Sequence, residues 1–213
     1  EIMLRIFKKD FILMFSDTKQ RISLIFLVPF FLLSIDTQNM EWLYFIIIMS
    51  VFYVLALIPL YYDMNNKSNS LIASLPITRK KIVIYKYLGV FLYLFITIVY
   101  VGIYLWIINK IGLMNVDYFN LFMIKKTIPY ILISMSIVLL INFRFDMRIA
   151  QIANMIIYMG IILISFNLAQ KTIDGGINQF VKFLDSSIFL ILSFGIFILS
   201  MIFSIKLYEN KDL

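Results

Sequence analysis

The sequence predicts an all-α integral membrane protein with six transmembrane helices, and three observations carry that reading. Of the 213 residues, 62% are hydrophobic and the mean hydropathy is +0.96, whereas soluble domains are nearer half apolar. Apolar runs recur at 22–35, 42–62, 88–108, 122–141, 149–168 and 186–205, most of them close to the ~20 residues that cross a bilayer as helix. The polar residues lie in short intervals between these runs, with no stretch long enough for a separate soluble domain. One membrane domain over 22–207 is expected, preceded by an amphipathic N-terminal helix at 1–21 and followed by a tail at 208–213.

In the first segment, Leu4, Phe7, Phe11 and Met14 recur at three- and four-residue spacing while Arg5, Lys8, Lys9 and Ser16 fall elsewhere. That pattern suits a helix lying in the membrane interface. It does not suit a signal peptide, because the basic region is long and no small-residue cleavage site follows. The chain starts at Glu1 and not at Met, so its natural start is expected to be missing or trimmed. Only 14 residues separate Arg21 from Asp36, so the first span needs Arg21 to snorkel or the helix to continue through Gln38. Pro29 is placed to kink it. The second run has Trp42 and Tyr44 at one interface and Tyr61 and Tyr62 at the other.

The third run carries Gly89, Tyr93, Thr97, Tyr100 and Tyr104 on one helical face. Such a polar-tipped stripe faces neighbouring helices or a water-filled cavity. In the fourth run, Lys125 and Lys126 near the outer end are expected to snorkel to headgroups. Arg144, Asp146 and Arg148 in the short turn after it are expected to form a local ion pair or a second cytoplasmic contact. The fifth run repeats the polar stripe with Gln151, Asn154, Tyr158 and Ser165. Residues 169–185 are expected to form an external segment: Gly175-Gly176 breaks the chain, and Ile177, Phe180, Val181 and Leu184 mark a short helix that is re-entrant or surface-lying.

Lys and Arg counts orient the runs. With the N-terminus inside, the cytoplasmic side holds 14 cations and the outside five, Lys110, Lys125, Lys126, Lys171 and Lys182. The positive-inside bias therefore predicts that both termini are cytoplasmic. It also puts 63–87 in the cytoplasm.

That interval, YDMNNKSNSLIASLPITRKKIVIYKYL over 62–88, carries the most specific pattern in the chain. Pro76 ends any preceding helix, and Thr78 is an N-cap candidate for a helix opening at Arg79. Arg79, Lys80 and Lys81 then occupy a first turn where the helix dipole disfavours cations by up to about 1 kcal/mol each. Anionic lipid or an acidic partner surface would offset that, although the three also serve as plain topology markers. The combination of Asp63, Ser74-Leu75-Pro76, Thr78-Arg79-Lys80-Lys81, Ile82-Val83 and Lys86-Tyr87 resembles the first cytoplasmic loop of short bacterial ABC-2 type permeases. It is similar in particular to the permease subunits that export amphipathic phenol-soluble modulin peptides from staphylococci. The resemblance implies a six-span fold of the ABC-2, or type V exporter, kind, with 1–21 as the connecting helix. It makes 63–87 the coupling loop that rests on a separate ATPase, with Asp63, Ser74, Leu75, Pro76, Thr78, Arg79, Lys80, Lys81 and Lys86 as its coupling residues.

Much chemistry is excluded. No Gly is followed by Lys, so no P-loop is present and the chain itself is not expected to hydrolyse ATP. Cys and His are both absent, which removes thiolate and His-based nucleophiles and the usual metal sites. Asp36, Asp63, Asp146 and Asp185 all fall at span ends, which argues against a proton- or sodium-driven carrier. The net charge of +7 reflects cytoplasmic loops and not nucleic-acid binding.

The resemblance thus implies a permease in a bacterial cell membrane, without a cofactor of its own. It works with ABC ATPase subunits that hold ATP and Mg, with a second permease copy or paralogue, and among membrane lipid. Tyr93, Thr97, Tyr100, Tyr104, Gln151, Asn154 and Tyr158 are candidates to line a cavity or a helix seam. Amphipathic peptides, toxins or antimicrobial peptides among them, are the expected cargo, with drugs or lipids as alternatives. A different class also fits the composition: a non-transporting membrane binding or immunity protein. The capture subunit of a vitamin importer is a poorer fit, because 22–35 contains no Ala and hence no small-residue pair.

Overall fold

The computed structural model describes residues 2–34, 40–65, 78–112, 118–173 and 186–209, and seven helices run through them. They are α1 (Ile2–Met14), α2 (Thr18–Ser34), α3 (Met40–Asn65), α4 (Arg79–Ile111), α5 (Leu121–Arg144), α6 (Met147–Ile173) and α7 (Ser187–Glu209). Five are long and apolar enough to cross a membrane: Trp42–Met64, Arg79–Ile111, Leu121–Arg144, Met147–Ser165 and Ser187–Glu209. With 17 residues, α2 is shorter than these five.

The helix ends have local causes. Asp17 opens α2, its carboxylate accepting from the Lys19 amide at 3.1 Å. Asn120 opens α5 in the same way, accepting from the Met123 amide at 3.0 Å. Thr78 does precede α4, but its hydroxyl makes no capping bond; its carbonyl accepts from the Lys81 and Ile82 amides. Gly112 ends α4 in the left-handed conformation, φ 71°, which a residue without Cβ adopts freely. In the turn after α5, Arg144 lies over the Phe145 ring, and no ion pair to Asp146 forms among the described residues.

Side-chain registers give the directions. Tyr130 meets Phe189, Ser136 meets Ser200 and Phe143 meets Tyr208, so α5 and α7 run parallel. Lys126 lies over Trp42 and Tyr130 meets Phe45, so α3 runs parallel to both. In α4, Arg79 reaches Glu209 and Phe91 stacks on Phe194, which makes α4 antiparallel to α7. The α5–α7 seam is the closest packed. Ser193, Ser200 and Ser204 of α7 and Ser136 of α5 are buried there, and small side chains let helices approach. Ser200 donates to the Ser136 carbonyl at 2.6 Å, and Tyr87 of α4 lies 2.8 Å from both Ser200 and Ser204.

The centre of the bundle is α3. It is apolar all round and contacts α1, α2, α4, α5 and α6, as a helix without a polar face must. The outer helices instead turn Ile152, Met155, Ile156 and Leu163 of α6, and Ile191, Leu199 and Phe203 of α7, outward, a surface suited to lipid tails.

Candidate functional site

The end of the bundle formed by α1, the last turn of α3 and the start of α4 holds the chain's densest group of buried charges among the described residues. At 33 residues α4 is about 50 Å long, against a hydrocarbon core of about 30 Å. The helix is therefore longer than the apolar layer is thick, and its first turn holds the cations Arg79, Lys80 and Lys81. Lys86 lies two turns into α4, and Asp63 lies near the end of α3.

Lys86 Nζ sits 2.6 Å from Asp63 Oδ2 and 3.0 Å from Asp10 Oδ2 on α1. Lys9 Nζ approaches Asp63 Oδ1 at 2.5 Å and lies 3.7 Å from Asp10 Oδ1. Two turns further along α4, the Tyr93 hydroxyl donates to Asp10 Oδ2 at 2.6 Å. Asp10 is 1% exposed, Lys86 7% and Asp63 8%. Two ammonium groups thus meet two carboxylates from three helices. Gly89 leaves room for the Tyr93 contact. A Cβ at 89 would stand 3.2 Å from both Cζ and the hydroxyl oxygen of Tyr93, whose ring lies back over that turn.

Removing one partner of a buried ion pair costs about 3–5 kcal/mol, because the other charge stays buried. The intact pair contributes little net stability, and apolar residues of similar volume often serve as well or better. The cluster is therefore better understood as fixing where three helices stand than as a store of stability.

The sequence places Asp63 and Lys86 in one candidate set, and the structure brings them together. Asp10 and Lys9 are additions. Among the described side chains of α1, Asp10 and Met14 are buried and Phe11 is 50% exposed, so the face turned to the bundle carries Asp10 beside Met14. The counter-charge of Lys86 and the hydroxyl of Tyr93 turn the helix to put Asp10 inside. A signal was present, since Asp10 stands three residues after Phe7 and four before Met14 and so interrupts the apolar stripe.

The remaining coupling candidates are dispersed. Arg79 turns its guanidinium to the C-terminal end of α7, donating to the Tyr208 carbonyl at 3.3 Å and the Glu209 carbonyl at 3.1 Å. A cation there satisfies carbonyls that have no helical partner and complements the negative end of the dipole. Lys80 and Lys81 are exposed beside it, as is Thr78. Ser74, Leu75 and Pro76 lie outside the described residues.

The polar stripes make contacts within α4 and between helices. Thr97 bonds back to the Tyr93 carbonyl, and Tyr104 donates to the Ile25 carbonyl of α2 at 2.6 Å. Tyr100 packs its ring against Tyr104. On α6, Tyr158 donates to Ser50 at 3.0 Å and Asn154 donates to Tyr61 at 3.3 Å, both on α3, while Gln151 is half-buried. Lys126 does not snorkel: it is 8% exposed, with its ammonium 4.3 Å from the centre of the Trp42 ring, where the π-cloud attracts a cation. Lys125, one residue away on the other face, is exposed.

Among the described residues no group of acids, Cys or His is placed to hold a metal ion. Comparison with curated proteins and with solved structures returns no match. Comparison with protein families returns one described as ABC-2 family transporter protein, matched over residues 5–209. That span contains all seven helices but for the first residues of α1, so the multi-pass helical bundle and its buried charge cluster belong to a member of the ABC-2 transporter family.

Proposed function

We propose that the chain is the permease subunit of an ATP-driven exporter in a bacterial cell membrane, energised by a separate ATPase and hydrolysing no ATP itself. The observation that carries this reading is the pairing of Asp63 with Lys86 in a chain of this family. It fixes the two helix ends flanking 66–77, which contains Ser74-Leu75-Pro76, and leaves Lys80 and Lys81 exposed at the same end. In this reading 63–87 is the cytoplasmic coupling segment, α2 is a sixth span through its tie to α4, and both termini are cytoplasmic. Two permeases, identical or paralogous, and two ATPases form the working unit. Closure of the ATPases on ATP moves the coupling segment, and the paired ends of α3 and α4 carry that movement into the bundle, alternating access to a central path. Amphipathic peptides are the proposed cargo, supported by the resemblance of the 62–88 pattern and by the abundance of adaptable Phe, Met and Ile side chains.

The test is purification of the chain from its native membrane in mild detergent, with identification of what accompanies it by mass spectrometry. A stoichiometric subunit bearing a P-loop is the expected result. Recovery of the chain alone would remove the basis of the reading and favour a non-transporting binding protein. Release of labelled amphipathic peptide from vesicles holding the complex, compared with a labelled lipid or a hydrophobic drug, tests the cargo.

A further inference from the structure

We propose that Asp10 is a positioning residue for coupling: through Lys86 and Tyr93 it clamps α1 to the start of α4, so that α1, the end of α3 and the start of α4 move as one body. This rests on the permease reading and adds to it a part of the chain, α1, that lies far in sequence from the coupling segment.

Three observations converge. Both Asp10 oxygens face Lys86, at 3.4 and 3.0 Å, and the nearer also accepts from Tyr93, so a single side chain on α1 grips α4 at two places two turns apart. A carboxylate held at two such points fixes the crossing of the helices as well as their spacing. The same Lys86 ammonium bridges to Asp63, which Lys9 also engages, so α1 holds both ends of the interrupted hairpin. Finally, the arrangement is enclosed. Asp10 and Lys86 are almost wholly removed from solvent, so the charges are neither screened nor free to exchange partners as surface pairs do. Any displacement of 66–77 that shifted α4 along its axis would separate buried opposite charges unless α1 travelled with it. The clamp thereby makes α1 part of the lever and denies it the independence of a membrane-surface anchor.

The single change Asp10→Asn leaves a buried cation short of a partner and is open to misfolding. The informative variant is Asp10→Leu with Lys86→Met, which removes one charge of each sign and keeps Lys9 paired with Asp63. The chain has no Cys, so spin labels are introduced at Lys8→Cys on α1 and Lys81→Cys on α4, both exposed and outside the clamp. Electron–electron distances are measured in the purified complex with its ATPase, nucleotide-free and trapped with ATP and vanadate, alongside permease-dependent ATP hydrolysis. The parent is expected to show one narrow distance, the same in both states. The double variant is expected to assemble in equal yield, to show a broadened distance that changes with nucleotide, and to lose about five- to tenfold in permease-dependent hydrolysis, the low end of ordinary coupling energies. A double variant with the parent's narrow distance, or with unchanged hydrolysis, overturns the proposal. A parent complex that retains no ATPase strikes the permease reading itself, whereas an indifferent double variant in an active complex strikes the clamp and, because Lys86 is lost with it, the relay through the Asp63–Lys86 pair, and leaves the chain a permease.

Discussion

Gly89 shows how much rests on one missing atom. The Tyr93 ring leans back over Gly89 to bring its hydroxyl to Asp10, and a methyl group at 89 would meet that ring at 3.2 Å. At that distance the neighbour must give by a few tenths of an ångström, and the free end of Tyr93 is the part that can. Gly89→Ala is expected to destabilise the protein in detergent by about 1–3 kcal/mol, the usual effect of overpacking and of a lost buried hydrogen bond. With Leu at 93, which has no ring to displace, the same change should be within about 1 kcal/mol of neutral or favourable, since Ala is the better helix former. Thermal unfolding of the four variants measures the difference, and equal effects in the two backgrounds would dissociate Gly89 from Tyr93. At this scale the sequence was readable in part. The face shared by Gly89, Tyr93 and Thr97 follows from helical spacing, but the partner of Tyr93 does not, because Asp10 lies 83 residues away. Burial of Lys126 was unreadable for a similar reason. A lysine next to Lys125 near a helix end looks solvated until Trp42, from another helix, is placed beneath it.

Among the elements, α2 and α4 meet through a consequence of proline chemistry. Pro29 has no amide hydrogen, so the carbonyl four residues earlier, at Ile25, loses its helical donor. Tyr104 supplies one from α4 at 2.6 Å. Pro29 and Tyr104 were each visible in the sequence, the first as a kink and the second as the end of a polar stripe. Their connection was not, since it needs the two helices side by side at one level. Tyr104→Phe is expected to cost about 0.6 kcal/mol, the average for hydrogen bonds between membrane helices, and no more than about 1.7 kcal/mol. In a Pro29→Ala background, where the helix restores its own bond to Ile25, the effect of Tyr104→Phe should fall close to zero. A cycle of denaturation measurements gives the coupling, and full additivity would mean that the hydroxyl does not serve the proline-freed carbonyl. Element boundaries follow the same logic. The opening of α4 at Arg79 was legible from Pro76 and Thr78, whereas what holds its polar first turns was not. The apolar run starts at Leu88, but the helix runs two turns further back because Lys86 and Arg79 find partners on α1, α3 and α7.

For the whole molecule, the distribution of cations decides orientation. The end with α1 and the start of α4 gathers Lys8, Lys9, Arg79, Lys80, Lys81 and Lys86. The turn between α5 and α6 adds Arg144 and Arg148, and the last turn of α7 adds Lys206. Among the residues with described side chains, the other end holds Lys110, Lys125 and Lys126. Antiparallel registers tie these residues to opposite ends independently of any hydropathy window. Lys86 is neutralised inside the bundle, Lys9 is paired with Asp63 at its edge and Arg79 is taken up by carbonyls of α7, yet the remaining exposed cations still favour the first end. Cations resist translocation across the bilayer, so that end is expected to stay cytoplasmic. The structure makes the expectation testable with single cysteines, because Lys81 and Lys125 are both exposed and occupy opposite ends. In intact cells a membrane-impermeant maleimide is expected to label Lys125→Cys and to spare Lys81→Cys, with the pattern reversed in inside-out vesicles. Labelling of Lys81→Cys from outside intact cells would place the Asp63–Lys86 cluster on the outer face, beyond reach of any cytoplasmic ATPase. The mechanism proposed for the whole assembly would then lose its source of energy.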